Sequence, residues 1–265
     1  MALDTASLAA RYEQDGFVSA VPILSQAEAA EHRARMEAAE ARIGSIHYRP
    51  KIHTLLRSPW ELATHPAVLD LAEAMLGPDI LLYNATYIIK EPGTTSHVSW
   101  HQDLTYWGLS DDRQVTFWLA LSPASVESGC MRMIPGSHRK GMAEHATTED
   151  ESNVLFHGQT VTGIDEDASV MCTLEPGEAS FHHGWTLHAS MPNRSADRRI
   201  GLNVQYLAAG THQTKHGRDT AVLVRGEDRH GYFGSDRPAE ADLEPEALAR
   251  MDELERIYKE SAGAV

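Results

Sequence analysis

At 265 residues and 42% hydrophobic content, the chain is large enough for one big β domain or two small ones. Its 38 acidic residues against 23 Lys and Arg give a net charge of −15, which argues against nucleic acid or an anionic membrane as the main partner. A small-molecule substrate held in a locally basic pocket stays compatible with that balance. Two distant cysteines, Cys130 and Cys172, read as reduced thiols. No basic-then-apolar leader opens the sequence, and no run nears the roughly 18 apolar residues of a membrane span. The expectation is a cytoplasmic protein.

Residues 1–77 read as mainly helical. Ser25 with Glu28 is a capping-box pattern heading an Ala/Glu/Arg stretch to about Arg42, and Pro66 opens a second helix that Gly77 closes. The character changes at Ile80–Lys90, rich in β-branched and aromatic residues and ended by Pro92-Gly93. Further strands are predicted at Val98–Gln102, Val115–Leu121, Cys130–Ile134, Glu178–His182 and Ile200–Leu207, with Pro-Gly and Ser-Gly turns between them. The polar stretch from Lys140 to Asp167 reads as a long surface loop, of the kind that forms lids. The tail from Leu243 to about Ser261 has helical composition. The sum is one domain, mainly β with flanking helices: a barrel or sandwich over 78–210, and a C-terminal cap and helix over 211–265.

Trp100-His101-Gln102-Asp103 stands out among the fifteen histidines because strand alternation would put His101 and Asp103 on one face, with Gln102 pointing away. A 2-His-1-carboxylate site needs one more imidazole and leaves positions open for a bidentate keto acid and O₂. His182, His183 and His188 are the downstream candidates. The residues after His188 favour it: a hairpin through Pro192-Asn193 would return the chain so that Arg198 or Arg199 sits just beyond the metal, where a distal carboxylate needs a bidentate cation. Alternation says only that one arginine of the pair faces inward.

The stretches WHQD (100–103), LTYW (104–107), VTFWLALSP (115–123), SGCMRMIPGSH (128–138) and LHASMPNRSADRR (187–199), with YEQDGF near the start, resemble the phytanoyl-CoA dioxygenase family of Fe(II)- and 2-oxoglutarate-dependent oxygenases. The resemblance runs from about Tyr12 to Tyr206. It implies a double-stranded β-helix (jelly roll), Fe(II) held by His101, Asp103 and His188, and 2-oxoglutarate held by Arg199 with Gln102, Trp118 and Ser190 lining its site. O₂ would be the second co-substrate. The lysine that some members place before the HxD has no clear counterpart, Lys90 being a poor match. Halogenases of this scaffold carry a small residue where Asp103 stands, so the resemblance implies hydroxylation, desaturation or a related oxidation.

Residues 42–57 contain Arg42, Arg49, Lys51 and Arg57 and no acid, a local reversal in an acidic chain. Arg49 and Lys51 are therefore candidates to bind a phosphonate, phosphate or carboxylate on the substrate. Tyr106 and Trp107 are candidate pocket aromatics. The polar segment 211–233, including the LVRGED stretch (223–228), is similar to bacterial members that hydroxylate small aminoalkylphosphonates. Two rival readings are a metal-binding, cupin-like isomerase or binding protein that uses no O₂, and a family member that has lost catalysis. The first has no need of a keto-acid arginine, and the second should have lost a ligand.

Overall fold

The structure, a computed structural model, describes residues 3–150, 152–155, 158–215 and 219–261. Two helices at the start obey their sequence signals. α1 (Thr5–Asp15) is capped by Asp4, whose carboxylate accepts from the Ser7 amide, and ends at Gly16 with φ +82°. The capping box at Ser25 opens α2 (Gln26–Ile43). Short α3 (Arg57–Ala63) precedes α4 (Pro66–Leu76), which has its proline at N1 and Gly77 after its end. Between α1 and α2 lies β1 (Phe17–Pro22), a strand that the helical reading of this region missed.

The remaining strands are β2 (Ile80–Lys90), β3 (Val98–His101), β4 (Gln114–Ala120), β5 (Met131–Met133), β6 (His145–Thr147), β7 (Gln159–Val161), β8 (Val170–Cys172), β9 (Glu178–His183), β10 (His188–Ser190), β11 (Arg199–Ala208), β12 (Thr220–Arg225) and β13 (Gly234–Ser235). They form a major sheet in the order β1-β9-β4-β11-β2-β12-β13 and a minor sheet β3-β10-β5-β8, a two-sheet jelly roll. One-turn helix α5 (Leu104–Trp107) comes after β3, and α6 (Pro245–Ser261) closes the described chain. No described helix is long and apolar enough to cross a membrane.

The central strands are buried on both faces, so β4 is buried at every position instead of alternating. Their outward side chains, among them Phe117, Phe181, Leu202, Val204 and Tyr87, pack with Met36, Leu62, Val68 and Leu71 of the helices into the main core. Their inward side chains, Thr116, Trp118, Ser180, His182, Arg199, Asn203 and Gln205, face the barrel interior, as the β4–β9 and β4–β11 registers require.

Three expectations change here. The 140–167 stretch is no plain loop: β6 and β7 form a hairpin ribbon, with Val161 buried against Trp100 and Leu187. The sheet is not confined to 78–210, since β1 and β12 join it from either side, β12 pairing with β2 where a cap was expected. Positions 151, 156–157 and 216–218 lie outside the described residues. Lastly, β10 and β11 are no hairpin. They belong to different sheets, and residues 191–198 cross between them, held by Asn193 Nδ2 donating to the Lys90 and Asp197 carbonyls.

Candidate metal centre and co-substrate pocket

β3 ends at His101, and the backbone enters helical conformation at Asp103 (φ −58°, ψ −43°). Strand alternation is therefore not what aligns His101 with Asp103; the turn into α5 swings the carboxylate back beside the imidazole. His188 arrives from β10, directly opposite His101 in the ladder, with ring centroids 4.0 Å apart. Asp103 Oδ1 lies 3.4 Å from His101 Nε2 and 3.6 Å from His188 Nε2. One ligand atom from each residue falls within 4.8 Å of the others, the only such group among the described residues.

The donor set fits a divalent metal. His101 Nδ1 donates to the Ser99 carbonyl and His188 Nδ1 to the Thr186 carbonyl, each at 2.9 Å, so both Nε2 lone pairs face the centre. Burial, with His101 alongside, holds His188 well below the usual histidine range and hence neutral, as a ligand must be. Burial alone would raise the Asp103 pKa, but the groups around it, among them His182 Nε2 3.3 Å from Oδ2, outweigh burial and hold the carboxyl well below its usual range. Two imidazoles and a carboxylate on one side suit a non-haem iron site with open positions.

Beyond the triad a cavity of about 530 Å³ runs between the sheets. Arg199 lies at its inner end, 1% exposed. Its guanidinium sits 5.2 Å over the Trp118 ring, donates to the Gly129 carbonyl at 2.6 Å, and has an unpartnered Nε. Burial lowers its pKa to about 10, still charged at neutral pH. Among the described residues no carboxylate pairs with it. A buried guanidinium without an anion fits a dicarboxylate co-substrate. Arg198 points the other way, ion-paired at 2.8 Å to both Glu40 and Glu91, which settles the alternation left open in the sequence.

The cavity also brings in Trp118, Ser190, Tyr106, Trp107 and Arg49. Two residues singled out from the sequence do not join them. Gln102 is buried but turned away from the cavity; its amide donates to the Gly141 and Trp185 carbonyls and accepts from the Ala143 amide, tying the 141–143 segment to the ligand strand. Lys51 is buried on the far side of its loop, its ammonium bonding the Tyr83 and Thr220 carbonyls and lying 3.2 Å from Asp236. Tyr48 and Lys51 both have φ +56°, and these left-handed residues send Arg49 to the cavity and Lys51 away from it. Lys90, opposite Arg199 in the ladder, spends its donors on Ser190 and the Met191 carbonyl.

Sequence reasoning missed Asn203, Gln205 and Thr86, which line the cavity from β11 and β2, and Tyr258, which lines it from α6. For Asn203 and Gln205 the signal was present: they share the face of Arg199 at even spacing.

Fold and site together define a jelly-roll metalloprotein with a 2-His-1-carboxylate centre beside a buried arginine. A family model described as phytanoyl-CoA dioxygenase (PhyH) matches residues 12–201. The chain belongs to that family of Fe(II)- and 2-oxoglutarate-dependent oxygenases. It is similar to a solved apo structure of a non-heme monooxygenase, ThoJ, with 32% identity, a TM-score of 0.86 and 97% of each chain covered. A probable alpha-ketoglutarate-dependent hypophosphite dioxygenase of Stutzerimonas stutzeri is 31% identical over 144 residues, 54% of this chain and 50% of that protein. Human peroxisomal phytanoyl-CoA dioxygenase is 30% identical over 156 residues, 56% of this chain and 46% of that protein. The chain thus spans about half the length of the curated relatives it matches.

Proposed function

We propose that the chain is an Fe(II)- and 2-oxoglutarate-dependent dioxygenase that hydroxylates an unactivated C–H bond of a small anionic molecule. Iron, 2-oxoglutarate and O₂ supply the oxidising equivalent, with succinate and CO₂ as co-products. His101, Asp103 and His188 hold the metal. Arg199 takes the distal carboxylate of 2-oxoglutarate, with Trp118 and Ser190 along its length. Tyr106 and Trp107 wall the substrate space, and Arg49 at its rim takes the substrate's anionic group. Arg49 has no carboxylate partner among the described residues; its guanidinium donates to the Met251 sulfur at 3.6 Å. An oxoanion substrate also agrees with the hypophosphite dioxygenase among its relatives.

The observation that carries the reading is Arg199: a fully buried cation, short of an anion, opening into the cavity that holds the triad. A cupin-like isomerase has no use for it. The test is an anaerobic titration of the Fe(II)-loaded protein with 2-oxoglutarate, following the visible charge-transfer band of the chelate. Arg199→Met should weaken 2-oxoglutarate by about 30-fold or more, since losing one partner of a buried charge pair costs roughly 2–5 kcal/mol. Arg198→Met should leave it unchanged. A wild-type protein that binds Fe(II) but gives no band is not this enzyme, and the isomerase reading then replaces it.

A further inference from the structure

We infer that His182 and Thr116 clamp the second oxygen of Asp103, so that His182 is a positioning residue for the metal-binding carboxylate and not a fourth ligand. The identity of the metal rests on the proposal above; the clamp does not.

Thr116 on β4 and His182 on β9 are direct partners in the antiparallel ladder, both on the inward face. Thr116 Oγ1 lies 3.1 Å and His182 Nε2 3.3 Å from the same atom, Asp103 Oδ2. An ionised carboxylate only accepts, so both groups donate. The threonine hydroxyl accepts from Gln114 Nε2 at 2.8 Å, which leaves its single proton for Asp103. His182 carries its proton on the nitrogen that faces the centre, so that nitrogen has no lone pair for a metal. Its Nδ1 is buried without a hydrogen-bond partner.

Two donors on Oδ2 leave Oδ1 as the oxygen between His101 and His188. This fixes the carboxylate as a one-oxygen ligand. A free carboxylate could rotate and chelate with both oxygens, filling a position that the co-substrate needs. The three histidines of 182–188 thus divide their work. His188 faces the metal position, and His182 holds the carboxylate. His183 turns outward, 3.9 Å from Asp112, and its Nδ1 accepts from the Trp185 amide.

The experiment is anaerobic competition of Fe(II) alone against a chelator, with Co(II) absorption as the reporter of coordination number. It compares wild type, His182→Phe, His182→Gln and Thr116→Val. Loss of an outer partner of a ligand costs about 10–100-fold in metal affinity, and His182→Phe should show that loss with a weaker Co(II) visible band from the two-oxygen chelate. His182→Gln keeps an N–H donor at similar reach and should recover most of both; Thr116→Val should move both the same way by less. Wild-type affinity and an unchanged Co(II) spectrum in His182→Phe would overturn the clamp. So would a His182→Gln variant as weak as His182→Phe, which would make the imidazole itself a ligand. If His182→Phe melts early without metal, Thr116→Val decides by the same readouts. A wild-type protein that binds Fe(II) yet gives no 2-oxoglutarate band sinks the oxygenase reading and leaves the clamp standing.

Discussion

Arg199 rests on Trp118, and Trp118 lies across Gly201, where an added Cβ would overlap the indole ring carbons. Glycine is required there for close approach, not for backbone conformation. Gly201→Ala should push the indole off its seat and take the guanidinium with it. Overpacking of this kind costs roughly 1–3 kcal/mol. The expected result is about tenfold weaker 2-oxoglutarate binding with Fe(II) affinity retained, read by titrating each in turn. At the rim, Arg49→Gln tests the substrate assignment. A charge-assisted hydrogen bond is worth roughly 1.5–3 kcal/mol, so KM for an anionic substrate should rise at least tenfold. The 2-oxoglutarate titration should stay as in wild type; an unchanged KM would remove Arg49 from the substrate site.

The loop carrying Arg49 is anchored by the residue that turned away. Lys51 and Asp236 form a fully buried pair that ties β13 and the run toward α6 against β2, with His53 Nε2 3.7 Å from the same carboxylate. Burial would raise the Asp236 pKa, but the Lys51 ammonium outweighs it and holds the carboxyl well below the usual carboxylate range. A depressed folded pKa gives stability that is complete above the unfolded value of about 3.9 and is lost as pH falls below it. Wild type should therefore lose stability in acid below about pH 4 more steeply than Asp236→Asn, compared by denaturant melts. Lys51→Met, which strands the carboxylate, should cost about 3–5 kcal/mol at neutral pH. This anchoring was not legible in the sequence, where Arg49 and Lys51 looked equivalent; the positive φ of Tyr48 and of Lys51 itself turns them apart, and neither residue is glycine. The legible parts were those with strong local chemistry: the capping box of α2, the Pro-to-Gly frame of α4, and the β-branched run of β2. The HxD was legible as chemistry but not as geometry, because Asp103 reaches the centre by leaving the strand. β1, β8 and β12 were missed because they take their form from the sheet that receives them more than from their own composition.

Across the whole molecule, the candidate ligands bridge elements that are distant in sequence: β3 and the start of α5 supply two, and β10 the third. A metal there staples the minor sheet to α5. Binding to the folded state alone adds about 2.7 kcal/mol at a hundredfold excess over Kd, so Fe(II) added anaerobically should raise Tm by about 5–10 °C. EDTA should reverse the shift and His101→Ala should abolish it. A His101→Ala protein showing the full shift would place the metal elsewhere. The two faces of the major sheet carry a further consequence. Along β11, Ile200, Leu202, Val204 and Tyr206 belong to the core beneath the helices, while Arg199, Asn203 and Gln205 line the cavity; Ala85, Tyr87 and Ile89 alternate with Thr86 and Ile88 in the same way on β2. What holds the barrel together and what shapes its cavity are written on alternate positions of the same strands. A change at Asn203 or Ile88 therefore reshapes the cavity while the neighbours that secure the fold stay as they are, so interior shape and core stability can be altered independently.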